Sequence, residues 1–225
     1  MAAFEEDRLV AVFQLGVGTA LGLIAYGYAH HPHSSLASIS AATVILIGYG
    51  VLGFASRRTQ WLANLRPAGV AGLATGAVFA AEILLEYLFL PENNVLWGYV
   101  EFGLVFLIYT LVAVWVAWQN RSISDAVRAA FATAIIGSLI WCIVLLSAFY
   151  AYEGTASQTA VLIAEGEPQD FLRSGMSDYP TFLMEDLFGA TFFHLLLGPA
   201  IAALLGLISS SSIAAFRRLS GSARA

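Results

Sequence analysis

Long apolar runs separated by short polar segments dominate this chain, and the pattern predicts membrane-spanning helices. Each run is close to the ~20 residues that an α-helix needs to cross the hydrocarbon core of a bilayer. The sequence therefore predicts an all-α, polytopic integral membrane bundle that forms a single transmembrane domain over residues 1–225. Its six predicted spans cover about residues 9–29, 36–55, 68–90, 98–118, 129–150 and 181–208.

Composition supports this class and excludes several others. The chain is 59% hydrophobic and 11% charged, with a mean hydropathy of +0.78, which is more apolar surface than a soluble domain of 225 residues can bury. All ten basic residues are arginine, so mechanisms that need a lysine amine, including retinal-type Schiff bases, are excluded. Cys142 is the single cysteine and cannot form an intrachain disulfide. No basic patch suits nucleic acid.

The arginines predict the orientation, because positive charge is retained on the cytoplasmic side of short loops. With the N-terminus inside, only Arg173 falls outside, and the other nine arginines are cytoplasmic. We therefore expect a multi-pass protein of the plasma membrane with both termini in the cytoplasm. No basic segment precedes the first apolar run, which predicts that the first helix is retained rather than cleaved as a signal peptide.

Small residues at four-residue spacing predict where helices meet, since lipid-embedded helices associate through close backbone approach. Gly18 and Gly22 form one such pair in the first span, and Gly72 and Gly76 form another in the third. These faces suit packing within the chain, and they also suit a homo-oligomer or a membrane partner subunit.

Ionisable residues within the apolar runs provide the candidate site. Glu82 and Glu86 share a helix face at i, i+4 spacing. No Arg or Lys lies within any predicted span, so buried carboxylates there must stay protonated, share a proton, line a wet cavity or bind a cation. The candidate residues, all predicted in the outer half of the bilayer or just below it, are Glu82, Glu86, Glu101, Glu185, Asp186 and His194.

These residues allow three functions from different classes. The leading hypothesis is a small permease or carrier, coupled to protons or cations, with an outward-facing carboxylate cavity. A bound cation is its one candidate cofactor. A membrane-embedded metalloenzyme could use the same residues as ligands, and an accessory subunit could use them to bind water or a partner's arginine. The sequence does not decide whether the protein is an enzyme, and it favours the carrier.

Two further stretches extend these hypotheses. His30, His31 and His33 form a histidine-rich turn that is a weak metal candidate, because no HExxH or Glu-x-x-His pair accompanies it. The outer loop, residues 151–180, is acidic, and residues 155–166 predict a short amphipathic helix on the membrane surface. This loop is expected to be either a solvated connector or a lid over the carboxylates.

Overall fold

A computed structural model describes residues 2–31, 36–59, 66–89 and 94–222, and within these ranges the chain is helical apart from short turns. No strand occurs in these ranges. The helices are α1 (Ala2–His30), α2 (Leu36–Thr59), α3 (Arg66–Phe89), α4 (Asn94–Asn120), α5 (Ile123–Ala151), α6 (Ala156–Glu165), α7 (Glu167–Ser174) and α8 (Tyr179–Ser222).

Six of these helices, all except α6 and α7, are long and apolar enough to cross a membrane, which confirms the predicted number of spans. Each predicted span lies within one helix, with residue 90 outside the described residues. Several helices are longer than predicted: α5 begins at Ile123 rather than near 129, and α8 continues to Ser222 rather than ending near 208. Hydropathy ends a span at the first polar residues, whereas the backbone hydrogen bonds of a helix continue through them.

The centre of the bundle is α5, which packs against α1, α3, α4 and α8. Its buried side is rich in small side chains, so four neighbouring helices can approach its backbone closely. These buried small residues include Ala126, Ala129, Ala130, Thr133, Ala134, Gly137 and Ser138. The outward faces of the bundle carry large exposed apolar side chains such as Leu15 and Val70, as expected of helices that face lipid.

The glycine pair of α3 makes the contact that its spacing predicts. A Cβ atom at Gly72 would lie 2.7 Å from the Cβ of Ile136, and one at Gly76 would lie 2.8 Å from the Cβ of Ile140. Both are closer than real Cβ atoms approach, so only glycine lets α3 sit this near to α5. Gly18 and Gly22 have nothing within 4 Å of an added Cβ, so the prediction that they form a contact face is wrong within this chain.

We expect Gly72→Ala to destabilise the bundle by about 1–3 kcal/mol, because the new methyl group must push α3 away from Ile136 and the Thr133 carbonyl. Gly18→Ala is the matched control: it adds the same methyl group to a helix at an open position. Unfolding in mixed detergents should show a large loss for Gly72→Ala and little change for Gly18→Ala. Equal stability of the two variants would contradict the packing described.

A proline interrupts the hydrogen-bond ladder of α8 at mid-helix. Pro199 has no N–H, so the carbonyl of Leu195, four residues earlier, lacks its helical donor. The hydroxyl of Tyr49, from α2, donates to that carbonyl at 2.5 Å, and both side chains are buried. The gap in α8 is thus filled by a side chain from another helix, which ties α2 to α8.

The predicted outer loop is two short helices rather than a solvated connector. The side chain of Thr155 caps α6 by accepting from the Gln158 N–H, and Gly166, with φ of 91°, ends it in the left-handed region. Val161 is 2% exposed, and Gln158 donates to the carbonyl of Phe149 at 3.1 Å. Because α6 also packs on α3, it is a docked element of the fold rather than a helix lying free on the membrane surface.

Candidate functional site

Three of the predicted acids converge between α3 and α4. The carboxyl groups of Glu82 and Glu86 lie within hydrogen-bonding reach of each other, as their i, i+4 spacing predicts. Glu101 enters from α4, is 8% exposed, and lies close enough for its charge to act on Glu82. Every charged group that acts on Glu82 is another carboxyl group. We call Glu82, Glu86 and Glu101 the acid triad.

A fourth acid reaches the triad from α6. Ser157, in the first turn of α6, donates to the carbonyl of Tyr87, and the ring of Tyr152 lies 5.0 Å from that of Tyr87. These contacts dock α6 beside the end of α3, so that Glu165 acts electrostatically on Glu82 and Glu86. Glu165 was not predicted as a site residue, because its position depends on docking that no local pattern encodes.

Asp186 and Glu185 lie apart from the triad. Asp186 is exposed, and its charge acts on Glu165 and Glu167 rather than on Glu82 or Glu101. Glu185 is half-buried. Glu165 links the two sets electrostatically, since Asp186 acts on Glu165 and Glu165 acts on Glu82. That Asp186 shares one cavity with Glu82 stays a prediction.

His194 lies in aromatic surroundings rather than against a carboxylate. Its ring stacks on Trp141 at 3.8 Å between centroids and 8° between planes, and the ring of Phe79 meets it edge-on at 4.8 Å. Phe79 is one turn inward from Glu82 on α3. Within the described chain no hydrogen bond or ion pair joins the His194 ring to an acid. The participation of His194 in the site therefore stays a prediction, and its ring contacts Phe79 on the helix that carries Glu82.

Comparison with protein-family models, curated proteins and solved structures finds no match.

The acids of α6 and α7 hold protons more tightly than ordinary carboxylic acids. Burial raises the pKa of Glu165 to about 7, and the charges of Glu86, Glu167 and Asp186 add to the effect. Its side chain keeps accessible surface, so the surrounding protein crowds the carboxyl without enclosing it. Burial likewise raises the pKa of Glu167 to about 7, with Asp186 and Asp170 contributing.

These shifts predict that the docking of α6 and α7 weakens as pH rises. A carboxyl whose pKa is higher when docked than when free stabilises the docked state at low pH, and that stabilisation is lost as pH rises through the docked pKa of about 7. We expect amide hydrogen exchange in residues 156–174, corrected for intrinsic rates, to increase a few-fold between about pH 6 and pH 8. The increase is modest because solvent screens an accessible carboxylate.

Glu165→Gln should remove part of this pH dependence, because the amide does not titrate while Glu167 still does. Glu153→Gln is the control, since Glu153 lies 3.2 Å from His31 and is not among the groups that act on Glu165 or Glu167. Equal exchange at both pH values in the wild type would contradict the prediction, and so would an unchanged pH dependence in Glu165→Gln.

The imidazoles of the histidine-rich turn contact groups outside the acid triad. Nδ1 of His30 lies 2.9 Å from the carbonyl oxygen of Tyr26, and Nε2 of His31 lies 3.2 Å from Oε1 of Glu153. His33 lies outside the described residues. Among the residues that the structure describes, no group of three or more His, Cys, Asp or Glu side chains could hold a metal ion. The metal hypotheses for this turn and for the acid triad gain no support from these contacts.

Two buried hydroxyls lie deeper in the bundle than the acids. Thr75 is fully buried and Tyr109 is 1% exposed, and neither hydroxyl has a hydrogen-bond partner among the described residues. Thr75 is seven residues inward from Glu82 on the same face of α3, about 10 Å along the axis. Tyr109 is eight residues inward from Glu101, about 12 Å. The positions of both hydroxyls could be predicted from the helical spacing that separates them from Glu82 and Glu101. Their lack of hydrogen-bond partners within the described chain could not be predicted from the sequence.

Proposed function

We propose that this protein is a small membrane carrier that binds a proton or a cation at the acid triad and couples that binding to transport. The observation that supports it is the electrostatic interaction of Glu82, Glu86 and Glu101 with one another, with only carboxyl groups acting on Glu82. Three adjacent carboxylates in apolar surroundings repel one another unless protons or a cation reduce their charge. A carboxyl group whose charge must be neutralised by a proton or a cation is suited to couple the binding of that ion to transport.

The residues beyond the triad support a route toward the middle of the bilayer. Buried hydroxyls usually have a protein or water partner, so Thr75 and Tyr109 are suited to bind water or a permeating group below the acids. His194 lies one turn below the triad against Trp141. In this proposal the triad, the Tyr109 and Thr75 hydroxyls and the His194 ring form a polar route inward through otherwise apolar side chains.

The helix α8 offers a place for the conformational change that a carrier needs. Its backbone ladder is interrupted at Pro199, below Asp186 and His194, so the outer half of α8 is able to tilt relative to the inner half. The hydrogen bond from Tyr49 to Leu195 would be kept or broken as that tilt changes. We assign the triad to the outer side and both termini to the cytoplasm of a plasma-membrane protein, from the distribution of the arginines.

The test is flux through the purified protein in sealed liposomes. A pH gradient or an alkali-cation gradient should drive protein-dependent movement of protons or of that cation, followed with dyes trapped in the lumen. The proposal expects flux above that of protein-free liposomes, with a rate that changes with external pH. Flux equal to that of protein-free liposomes under all proton, sodium and potassium gradients would contradict coupling to these ions.

A further inference from the structure

A basic cleft lies at the end of the bundle opposite the acid triad. It has a volume of about 1020 Å³, which is the scale of a ligand site, and it opens where the α4–α5 turn meets the last turns of α8. Arg121, Arg217 and Arg218 line it, and no Asp or Glu does.

Arg217 builds one wall of the cleft. Its Nη2 donates to the carbonyl of Trp118 at 2.5 Å, and its Nη1 donates to the carbonyl of Ala117 at 3.4 Å. Its guanidinium carbon lies 4.6 Å from the centroid of the Trp118 ring. Arg217 therefore binds the last carbonyls of α4 and stacks on an indole, which holds α8 against α4 and fixes the shape of the cleft.

Arg121 has a backbone conformation that its side chain type does not favour. Its φ is 55°, in the left-handed region, directly after the end of α4, and it is the one non-glycine residue with positive φ in the described chain. Glycine or asparagine is usual at such a helix end. Backbone conformations that a residue type disfavours cluster at ligand clamps and other functional sites. The Arg121 side chain is exposed and lines the cleft.

The acid closest to Arg121 along the chain already has hydrogen-bond and ion-pair partners. Asp125, in the first turn of α5, accepts a hydrogen bond from Asn120 at 3.3 Å and lies 3.8 Å from Arg128. Within the described residues no carboxylate forms an ion pair with Arg121, Arg217 or Arg218. The cleft thus carries net positive charge at the depth where Trp118 marks the edge of the apolar span.

We propose that this cleft binds a phosphate-bearing anion at the membrane surface, with the headgroup of an anionic phospholipid as the expected occupant. Guanidinium groups match phosphate oxygens in charge and in paired hydrogen-bond geometry. Basic pockets between the ends of membrane helices bind anionic headgroups by this chemistry. Arg121 and Arg218 provide the charge, and Arg217 with Trp118 provides a rigid wall.

The test compares lipid binding by the full chain in phosphatidylcholine nanodiscs doped with spin-labelled phosphatidylglycerol or spin-labelled phosphatidylcholine. The wild type should immobilise the phosphatidylglycerol probe preferentially. Arg121→Asn tolerates the left-handed backbone and lacks the charge, and it should weaken that preference roughly fivefold. Arg218→Gln should have a similar effect. Arg128→Gln removes a charge outside the cleft lining and should keep the preference.

Several results separate the outcomes. An unchanged preference in both Arg121→Asn and Arg218→Gln would overturn the proposal, and so would an equal loss in Arg128→Gln, which would mean general surface charge. Displacement of the probe by millimolar inorganic phosphate would support the phosphate site and assign a soluble source. Thermal unfolding of Arg121→Asn at or above the wild-type temperature is expected, because the substitution relieves backbone strain. A preference lost only together with folding would contradict a binding role for Arg121.

Discussion

Glu82→Gln is expected to lower proton- or cation-driven flux through the reconstituted protein by about ten- to hundredfold. Glu82 interacts with both Glu86 and Glu101. Glutamine keeps its size but forms only neutral hydrogen bonds, and it neither exchanges a proton nor attracts a cation. Hydrogen bonds to charged groups contribute about 1.5–3 kcal/mol, and losing one at the site corresponds to this range of rates.

Glu153→Gln is the control for this experiment. Glu153 is an acid just beyond the end of α5, where it lies 3.2 Å from His31, and it is not among the groups acting on the triad. It should leave flux unchanged. Glu82→Gln should fold as well as the wild type, because the neutral amide removes repulsion from the triad. Flux that is equal in the wild type and in Glu82→Gln would contradict the proposed role of the triad.

Tyr49→Phe is expected to destabilise the bundle by about 1–3 kcal/mol, because it leaves the buried carbonyl of Leu195 without a donor. The backbone cannot replace the lost bond, since the residue four positions later is Pro199. Unfolding in mixed detergents, followed by circular dichroism, measures the loss. This is a large effect for the removal of one oxygen atom.

Tyr150→Phe is the matched control. Tyr150 also donates to a helix carbonyl, that of Leu23 at 3.1 Å, but this carbonyl has Gly27 as a normal helical donor. Its loss should therefore cost less. In a Pro199→Ala background the restored N–H should reduce the cost of Tyr49→Phe, and a double-mutant cycle measures that coupling. Purely additive effects would contradict the account of α8.

The membrane-spanning helices could be predicted because hydropathy and length are local properties of the sequence. The contact between Glu82 and Glu86 could be predicted for the same reason, since i, i+4 neighbours share a face of any α-helix. The addition of Glu101 depends on the rotation of α4 against α3. Hydropathy does not determine that rotation when both helices are apolar all round.

Residues with the same local sequence pattern also occupy different positions in the bundle. Gly72 and Gly76 face α5, whereas Gly18 and Gly22, at the same spacing, face away from the bundle. Asp186 is exposed although it lies in an apolar run like Glu101. These differences arise from which face of each helix packs inward, a property of the assembled bundle. The link between Tyr49 and Pro199 likewise requires the packed structure.

The carrier, the metalloenzyme and the accessory subunit all stay hypotheses. Among the described residues no group of three or more His, Cys, Asp or Glu side chains could hold a metal ion. The exposed apolar faces of α1 and α2 suit lipid and a partner helix equally. The acid triad is the basis on which we propose the carrier.

The most direct test of the account is infrared difference spectroscopy of the protein in lipid, recorded while external pH or cation concentration is changed. We expect loss of a protonated carboxyl C=O band when protons are removed or replaced by a cation. This band should be missing in Glu82→Gln and present in Glu153→Gln. A wild-type spectrum with no carboxyl band that responds to protons or cations would contradict it, as would a response that Glu82→Gln retains in full.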